Sequence, residues 1–224
     1  MTIRSVKLYR IATDISFEQL HEKLIHLDVT DTSGDTPLRF YTKNFKSSPN
    51  DDHLLGDIYY DEQFMVVTTT GPLFYKTEQS LNFCLLTNTH LMLFANKIIS
   101  DKIANKLDEL LFPKQRNIIL ENPFEDDMFQ QFLDANPHIT GTAFMSGILT
   151  PGANSDTIFG SDVEKSILYQ QAKRLGGKPN FIRFNLNNEG ITIGLSKKGV
   201  VVFYSDMTDD EVIHFIKEKI LPFV

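Results

Sequence analysis

The stretch Ile191-Thr-Ile-Gly-Leu-Ser-Lys-Lys-Gly-Val-Val-Val-Phe-Tyr-Ser-Asp-Met-Thr-Asp-Asp-Glu-Val-Ile-His-Phe-Ile-Lys-Glu-Lys-Ile-Leu-Pro222 decides the fold. Ile191–Leu195 alternates apolar with small or polar residues, as a half-buried strand does. Ser196–Gly199 reads as a tight turn, and Gly199–Tyr204 as a β-branched, aromatic strand that completes a hairpin. Thr208 stands three residues before Glu211, the spacing of a capping box that opens a helix. Val212, Phe215, Ile216 and Ile220 then recur at helical spacing, and Pro222 stops the helix.

A related pattern lies 109 residues earlier. Leu86–His90 reads as a strand end and turn, Leu91–Phe94 as a strand, and Ser100–Phe112 as an amphipathic helix capped at Ser100 and ended by Pro113. Without a gap, Phe94 falls on Phe203, Ile103 on Val212, Leu107 on Ile216, Leu111 on Ile220 and Pro113 on Pro222. The same offset carries the strand Val6–Ile11 onto Gln115–Leu120. It also carries the helix opened by Ser16 onto Glu125–Asp134, with Leu20 on Phe129 and Leu24 on Leu133. Residues 1–113 and 114–224 are therefore expected to be two diverged copies of one β-α-(variable middle)-β-hairpin-α unit. The expected class is α+β, an antiparallel sheet with helices packed on one face and a pseudo-two-fold relating the copies.

The two middles differ. Residues 28–53 are polar and read as a long surface loop carrying one short strand, Leu38–Tyr41. Gly56–Tyr60 and Phe64–Thr70 follow as strands. In the second copy Ala143–Leu149 reads as a strand, residues 150–156 as a loop, residues 161–175 as an inserted helix ended by Gly176-Gly177, and Phe181–Leu186 as a strand.

The order strand, helix, several antiparallel strands, helix, given twice, resembles the TATA-binding-protein-like fold. Ile191–Phe223 and Leu85–Phe112 carry that resemblance. It implies a saddle-shaped sheet with helices on its convex back. It also implies minor-groove binding on the concave face, where paired phenylalanines wedge between base steps. No matched Phe pair falls on corresponding strands of both halves, and topology does not transfer function, so no residue is carried over.

Composition narrows the function classes. With a net charge of −7 the chain lacks the overall basic character of a general nucleic-acid coat, although a local basic strip is compatible with it. The halves carry 11 basic and 15 acidic side chains, then 11 and 14, so neither is a basic arm. The one cysteine, Cys84, excludes an internal disulfide and a cysteine-based zinc cluster, fits a reducing cytoplasm, and reads as a small buried strand residue. The first residues lack a signal-peptide apolar region, and no apolar run approaches the ~20 residues of a membrane span. The expected setting is the cytoplasm.

No phosphate loop, dinucleotide fingerprint or nucleophile elbow is present. Asp57, Asp61 and Glu62, with Lys76 downstream, are the nearest approach to a carboxylate set for a divalent cation, although Gly56–Phe64 also reads as strand, turn, strand with acids at the turn. The six histidines never adopt metal-ligand spacing. His90 reads as a turn residue, and His138, in a polar loop after a helix, is the candidate general base. Two cationic stretches stand out. Arg39, Lys43 and Lys46 alternate with Phe40, Tyr41 and Phe45, a pattern suited to base stacking. Lys173, Arg174, Lys178, Arg183, Lys197 and Lys198 run from a helix end to a hairpin tip and suit phosphate contacts.

These features point to a non-enzymatic binding or regulatory protein that acts on a protein or nucleic-acid partner through its sheet face and loops, without metal or cofactor. A homodimer is an accessible state. The alternative is a metal-dependent hydrolase or nuclease built on the three acids.

Overall fold

In the computed structural model of the protein, residues 3–12, 14–34, 36–48, 52–87, 90–136, 138–150 and 153–224 are described. Pro49, Asn88, Thr89, Pro137, Pro151 and Gly152, which belong to expected loops and turns, lie outside them.

The hairpin quoted above forms as read. Strands β11 (Ile191–Ser196) and β12 (Val200–Phe203) pair antiparallel, with Ile193 opposite Phe203. Their turn depends on Gly199, whose φ of +72° is left-handed. A Cβ there would lie 2.3 Å from the Asn122 carbonyl oxygen. The Thr208–Glu211 capping box opens helix α5 (Asp209–Phe215). A π-helical turn, Ile216–Ile220, and a 3₁₀ turn containing Pro222 complete it.

The chain divides into two compact units: Tyr9–Leu120, and Glu121–Val224 together with the start of strand β1 (Arg4–Ile11) through Leu8. Each is α+β with antiparallel strand pairing.

The unit Tyr9–Leu120 runs from β1 into helix α1 (Phe17–Ile25), where Ser16 and Gln19 form a capping box. Strands β2 (Asp28–Asp31), β3 (Leu38–Ser47), β4 (His53–Thr68), β5 (Gly71–Leu86) and β6 (His90–Leu93) follow as sequential antiparallel neighbours. Helix α2 (Lys97–Leu111) closes the unit. Leu20 and Leu24 of α1, and Ile103, Leu107 and Leu111 of α2, share one buried cluster with Ile58, Phe83 and Leu85. Burying a side chain of this size contributes ~1.5–3 kcal/mol, so this cluster is the main stabilising term of the unit.

Four expectations change in this unit. Residues 28–53 hold two strands, not a loop with one short strand, because β2 and the whole of β3 find ladder partners in β3 and β4. The expected strand–turn–strand between Gly56 and Thr70 is one strand, β4, and its turn falls at Thr69-Thr70. Asp61 and Glu62 therefore lie opposite Glu78 and Thr77 in mid-ladder. Helix α2 starts a turn early: Asn96 Oδ1 accepts the Ile99 amide at 3.1 Å, and Ser100 is buried within the first turn. His90 opens β6 instead of sitting in the turn.

The other unit contains the last residue of β7 (Ile119–Glu121), helix α3 (Asp126–Ala135), β8 (His138–Thr150), β9 (Ala153–Phe159), a 3₁₀ turn (Val163–Lys165), α4 (Ile167–Arg174), β10 (Lys178–Leu186), β11, β12 and α5. Its strands neighbour one another in the order β9-β8-β10-β11-β12-β1. Strand β9 replaces most of the expected 150–156 loop, because residues 153–159 pair with β8. The helix expected over 161–175 is shorter: Ser166, not Ser161, caps it by accepting the Tyr169 amide at 3.2 Å. On β10, buried Ile182, Phe184 and Leu186 alternate with exposed Arg183 and Asn185. Phe184 meets Phe132 of α3, with ring centroids 5.4 Å apart.

Candidate functional site

The three acids do not converge. Strand alternation puts Asp57 and Asp61 on one side of β4 and Glu62 on the other. Asp57 accepts from the Asn44 amide at 2.7 Å. Asp61, its side chain only 7% exposed, accepts from the Arg39 backbone N–H at 2.7 Å and lies 3.1 Å from Lys76 Nζ. Burial pushes its carboxyl up, but the Arg39 amide and Lys76 outweigh that and hold it below the usual carboxylate range. Glu62 pairs with Lys102 at 2.7 Å. Asp61 and Glu62 border a cleft of about 460 Å³, yet each already faces a cation. Among the described residues, no group of three or more His, Cys, Asp or Glu side chains is placed to hold a metal ion.

His138 is the first residue of β8, not a loop residue. Its Nδ1 lies 2.7 Å from the Asn136 carbonyl and its Nε2 lies 2.7 Å from Glu164. Both ring nitrogens therefore already have a polar partner. A general base needs a lone pair aimed at substrate, and both ring nitrogens are occupied here. Cys84 is buried on β5, as expected of a small strand hydrophobe.

The first cationic stretch is brought together in part. Arg39 and Lys43 flank Tyr41 on one side of β3, at 4.3 Å and 5.5 Å from its ring centroid, and Tyr41 stacks on Tyr59 at 5.0 Å. Two bonds to Asp28, of 2.8 and 2.5 Å, hold the Arg39 guanidinium and raise its pKa further. Lys43 lies directly across from Asp57. Lys46 lies beyond a register shift that follows Lys43, opposite Leu55 and apart from this pair.

The second stretch splits four ways. Lys178 and Lys197 converge on Asp126 at the start of α3, at 2.5 and 2.6 Å, and hydrogen bonds from both hold its carboxyl below the usual range. Lys173 and Arg174 end α4, where cations suit the helix dipole. Lys198 is exposed in the β11–β12 turn.

Arg183 stands apart from all of these. It lies on the side of β10 opposite Ile182 and Phe184, 4.4 Å from the Tyr204 ring centroid. Among the described residues no carboxylate pairs with it. Cross-strand register places Phe181 beside Phe144, and Arg183 beside Thr142, which in turn lies beside Phe159. Phe144 is 37% exposed and Phe159 is 74% exposed. The Phe181 ring lies over Gly194, where a Cβ would meet it at 2.5 Å. The result is an open sheet face of three phenylalanines and a tyrosine-stacked arginine. The sequence reading found Arg183 but missed the aromatics. Their signal was the alternation Phe181-x-Arg183 and Thr142-x-Phe144 around buried Ile182 and Ala143.

A larger cleft, about 550 Å³, lies beside α5 in the same unit. Two of its carboxylates are already engaged, Glu189 by Lys219 at 3.0 Å and Glu211 by the Thr208 cap.

No protein-family model matches this chain, and no curated protein matches it. No helix among the described residues is long and apolar enough to cross a membrane.

Proposed function

We propose that this chain is a non-enzymatic binding protein whose macromolecular partner is a single-stranded nucleic acid. On this reading the strand stacks on the face formed by Phe144, Phe159, Phe181 and Arg183. The observation that carries it is the exposure of Phe144 and Phe159, with half-buried Phe181 beside them on adjacent paired strands, around an arginine that no carboxylate among the described residues neutralises. Every base has a π-face, so such a platform binds strands with little regard to sequence. Aromatic residues on an open sheet are also a recurring way of reading splayed bases.

The chain as a whole is read as two diverged copies of one unit, with the helices of each packed on one face of its strands. Support comes from α1 and α3, which keep the 109-residue offset over their shared length, and from the pairs Leu20/Phe129, Leu24/Leu133, Ile103/Val212, Leu107/Ile216 and Leu111/Ile220, buried at every member.

Fluorescence anisotropy with a labelled oligodeoxythymidylate tests the binding reading. Expected is a dissociation constant between roughly 1 and 100 µM at moderate salt, with few phosphates neutralised and hence a log–log salt slope of only about −1 to −2. Absence of binding at low salt, or binding that survives loss of both Phe144 and Phe181, rejects it.

A further inference from the structure

The hairpin formed by β4 and β5 extends past the rest of its unit's strand pairing. Strand β3 pairs with β4 only as far as Tyr60, and β6 pairs with β5 only from Phe83 to Leu85, whereas β4 and β5 pair with each other out to Thr68 and Gly71. Between Gln63 and Tyr75 there is no charged residue. Phe64, Met65, Val66, Val67, Leu73, Phe74 and Tyr75 are all 44% exposed or more. Register puts Phe64 opposite Tyr75 and Val66 opposite Leu73, and, on the other face, Met65 opposite Phe74 and Val67 opposite Pro72. The arm is thus apolar on both faces and, among the described residues, bare of a third strand on either edge.

An isolated two-stranded ribbon is marginal in water, and bare edges of this composition are templates for pairing. Whatever covers the arm must supply both apolar contact and partners for edge amides and carbonyls. A bilayer supplies only the first, because edge groups find no hydrogen bonds in hydrocarbon. A second arm of the same sequence supplies both. The two edges are not equivalent. Strand β5 carries Pro72, which has no N–H for a further strand, and Lys76. The β4 edge from Phe64 to Val67 carries neither proline nor charge. The exposed side chains of the arm amount to on the order of 600–700 Å² over its two faces, and edge pairing covers those that flank the β4 edge, so the interface is smaller than the ~800 Å² per partner of a standard one.

We infer that this arm is a self-association element: a second copy of the chain docks on it, with the Phe64–Val67 edges paired antiparallel about a two-fold axis. The inference is independent of the nucleic-acid reading, since none of the stacking residues lies on the arm.

Sedimentation velocity of the full chain tests it, comparing wild type with a Met65→Lys/Val67→Lys double variant. Both positions are exposed, so circular dichroism and melting should match wild type and exclude misfolding as the cause. Expected is a dimer that the double variant converts to monomer, halving the mass. Wild type that stays monomeric up to on the order of 100 µM overturns the inference, since even a weak interface should associate below that concentration. A dimer unaffected by the two lysines overturns it as well. So does a monomeric wild type that co-sediments with phosphatidylcholine vesicles when the variant does not, which assigns the arm to lipid.

Discussion

Tyr41 in one unit and Tyr204 in the other each lie beside an arginine, at 4.3 and 4.4 Å, but the two arginines are held differently. Asp28 grips Arg39 through two hydrogen bonds, and Asp57 lies across from its neighbour Lys43. Among the described residues no carboxylate accompanies Arg183 at its ring, and beside it stand Phe144, Phe159 and Phe181. The halves of the sequence carry almost the same charge, yet one surface is internally satisfied and the other retains an unspent cation among apolar rings. A cation already neutralised adds little to phosphate attraction, so counting basic residues is a poor guide to where a polyanion binds.

The comparison breaks most completely at Gly199. Gly199→Ala forces a side chain into a left-handed residue and against the Asn122 carbonyl. It should cost at least about 3 kcal/mol in urea denaturation, removing the Arg183 face by unfolding its hairpin. Within a folded protein, Phe181→Ala and Phe144→Ala should each weaken oligodeoxythymidylate binding roughly 10- to 100-fold by anisotropy. Tyr41→Ala and Arg39→Ala should leave it unchanged. Equal losses from both sets would erase the distinction between the two surfaces. A smaller effect separates charge from stacking: Arg183→Lys keeps the cation but loses the planar group, so affinity should fall by only about 3- to 10-fold.

The smallest effect concerns the lysines that face α3. Hydrogen bonds from Lys178 and Lys197 lower the Asp126 pKa in the folded protein. A lowered carboxylate pKa means stability that is present above the ordinary aspartate value of ~3.9 and lost as pH falls through the lowered one. Asp126→Asn should therefore reduce the melting temperature by no more than about 3 °C near neutral pH, and the difference from wild type should vanish in acid. Binding should not change, since both lysines reach to Asp126 at the start of α3 and neither lies over a ring beside Arg183. A clear gain in affinity on freeing them would extend the interface around the sheet edge.

What could be read from the chain follows the range of the interactions concerned. The hairpin at Ile191–Phe203, the helix start at Ser16, the capping box at Thr208, and the buried rows Leu20/Leu24 and Ile103/Leu107/Leu111 rest on contacts between residues a few positions apart, so periodicity and spacing revealed them. The same local logic failed where two signals competed. Asn96 and Ser100 are both good caps, and tertiary burial of Ser100 decided for Asn96. Residues 28–53 looked like a loop because their polarity belongs to an edge strand, which only its neighbour identifies.

The candidate surfaces were less legible. The sequence could count cations, but whether Arg39 is neutralised depends on Asp28, 11 residues away across a β-pair. Whether Asp57, Asp61 and Glu62 form a cluster depends on strand alternation and on Asn44, Lys76 and Lys102. Phe144, Phe159 and Phe181 share a face only through the register of three strands, and the arm from Gln63 to Tyr75 is exposed only because β3 and β6 stop short of it. The sequence by itself determined the α+β class, the C-terminal hairpin and the inward faces of the helices, because hydrophobic periodicity and capping act within a turn or a strand. Which charges remain unpaired and which apolar side chains stay uncovered was decided by tertiary structure alone, because both depend on strand pairing between residues far apart in the chain.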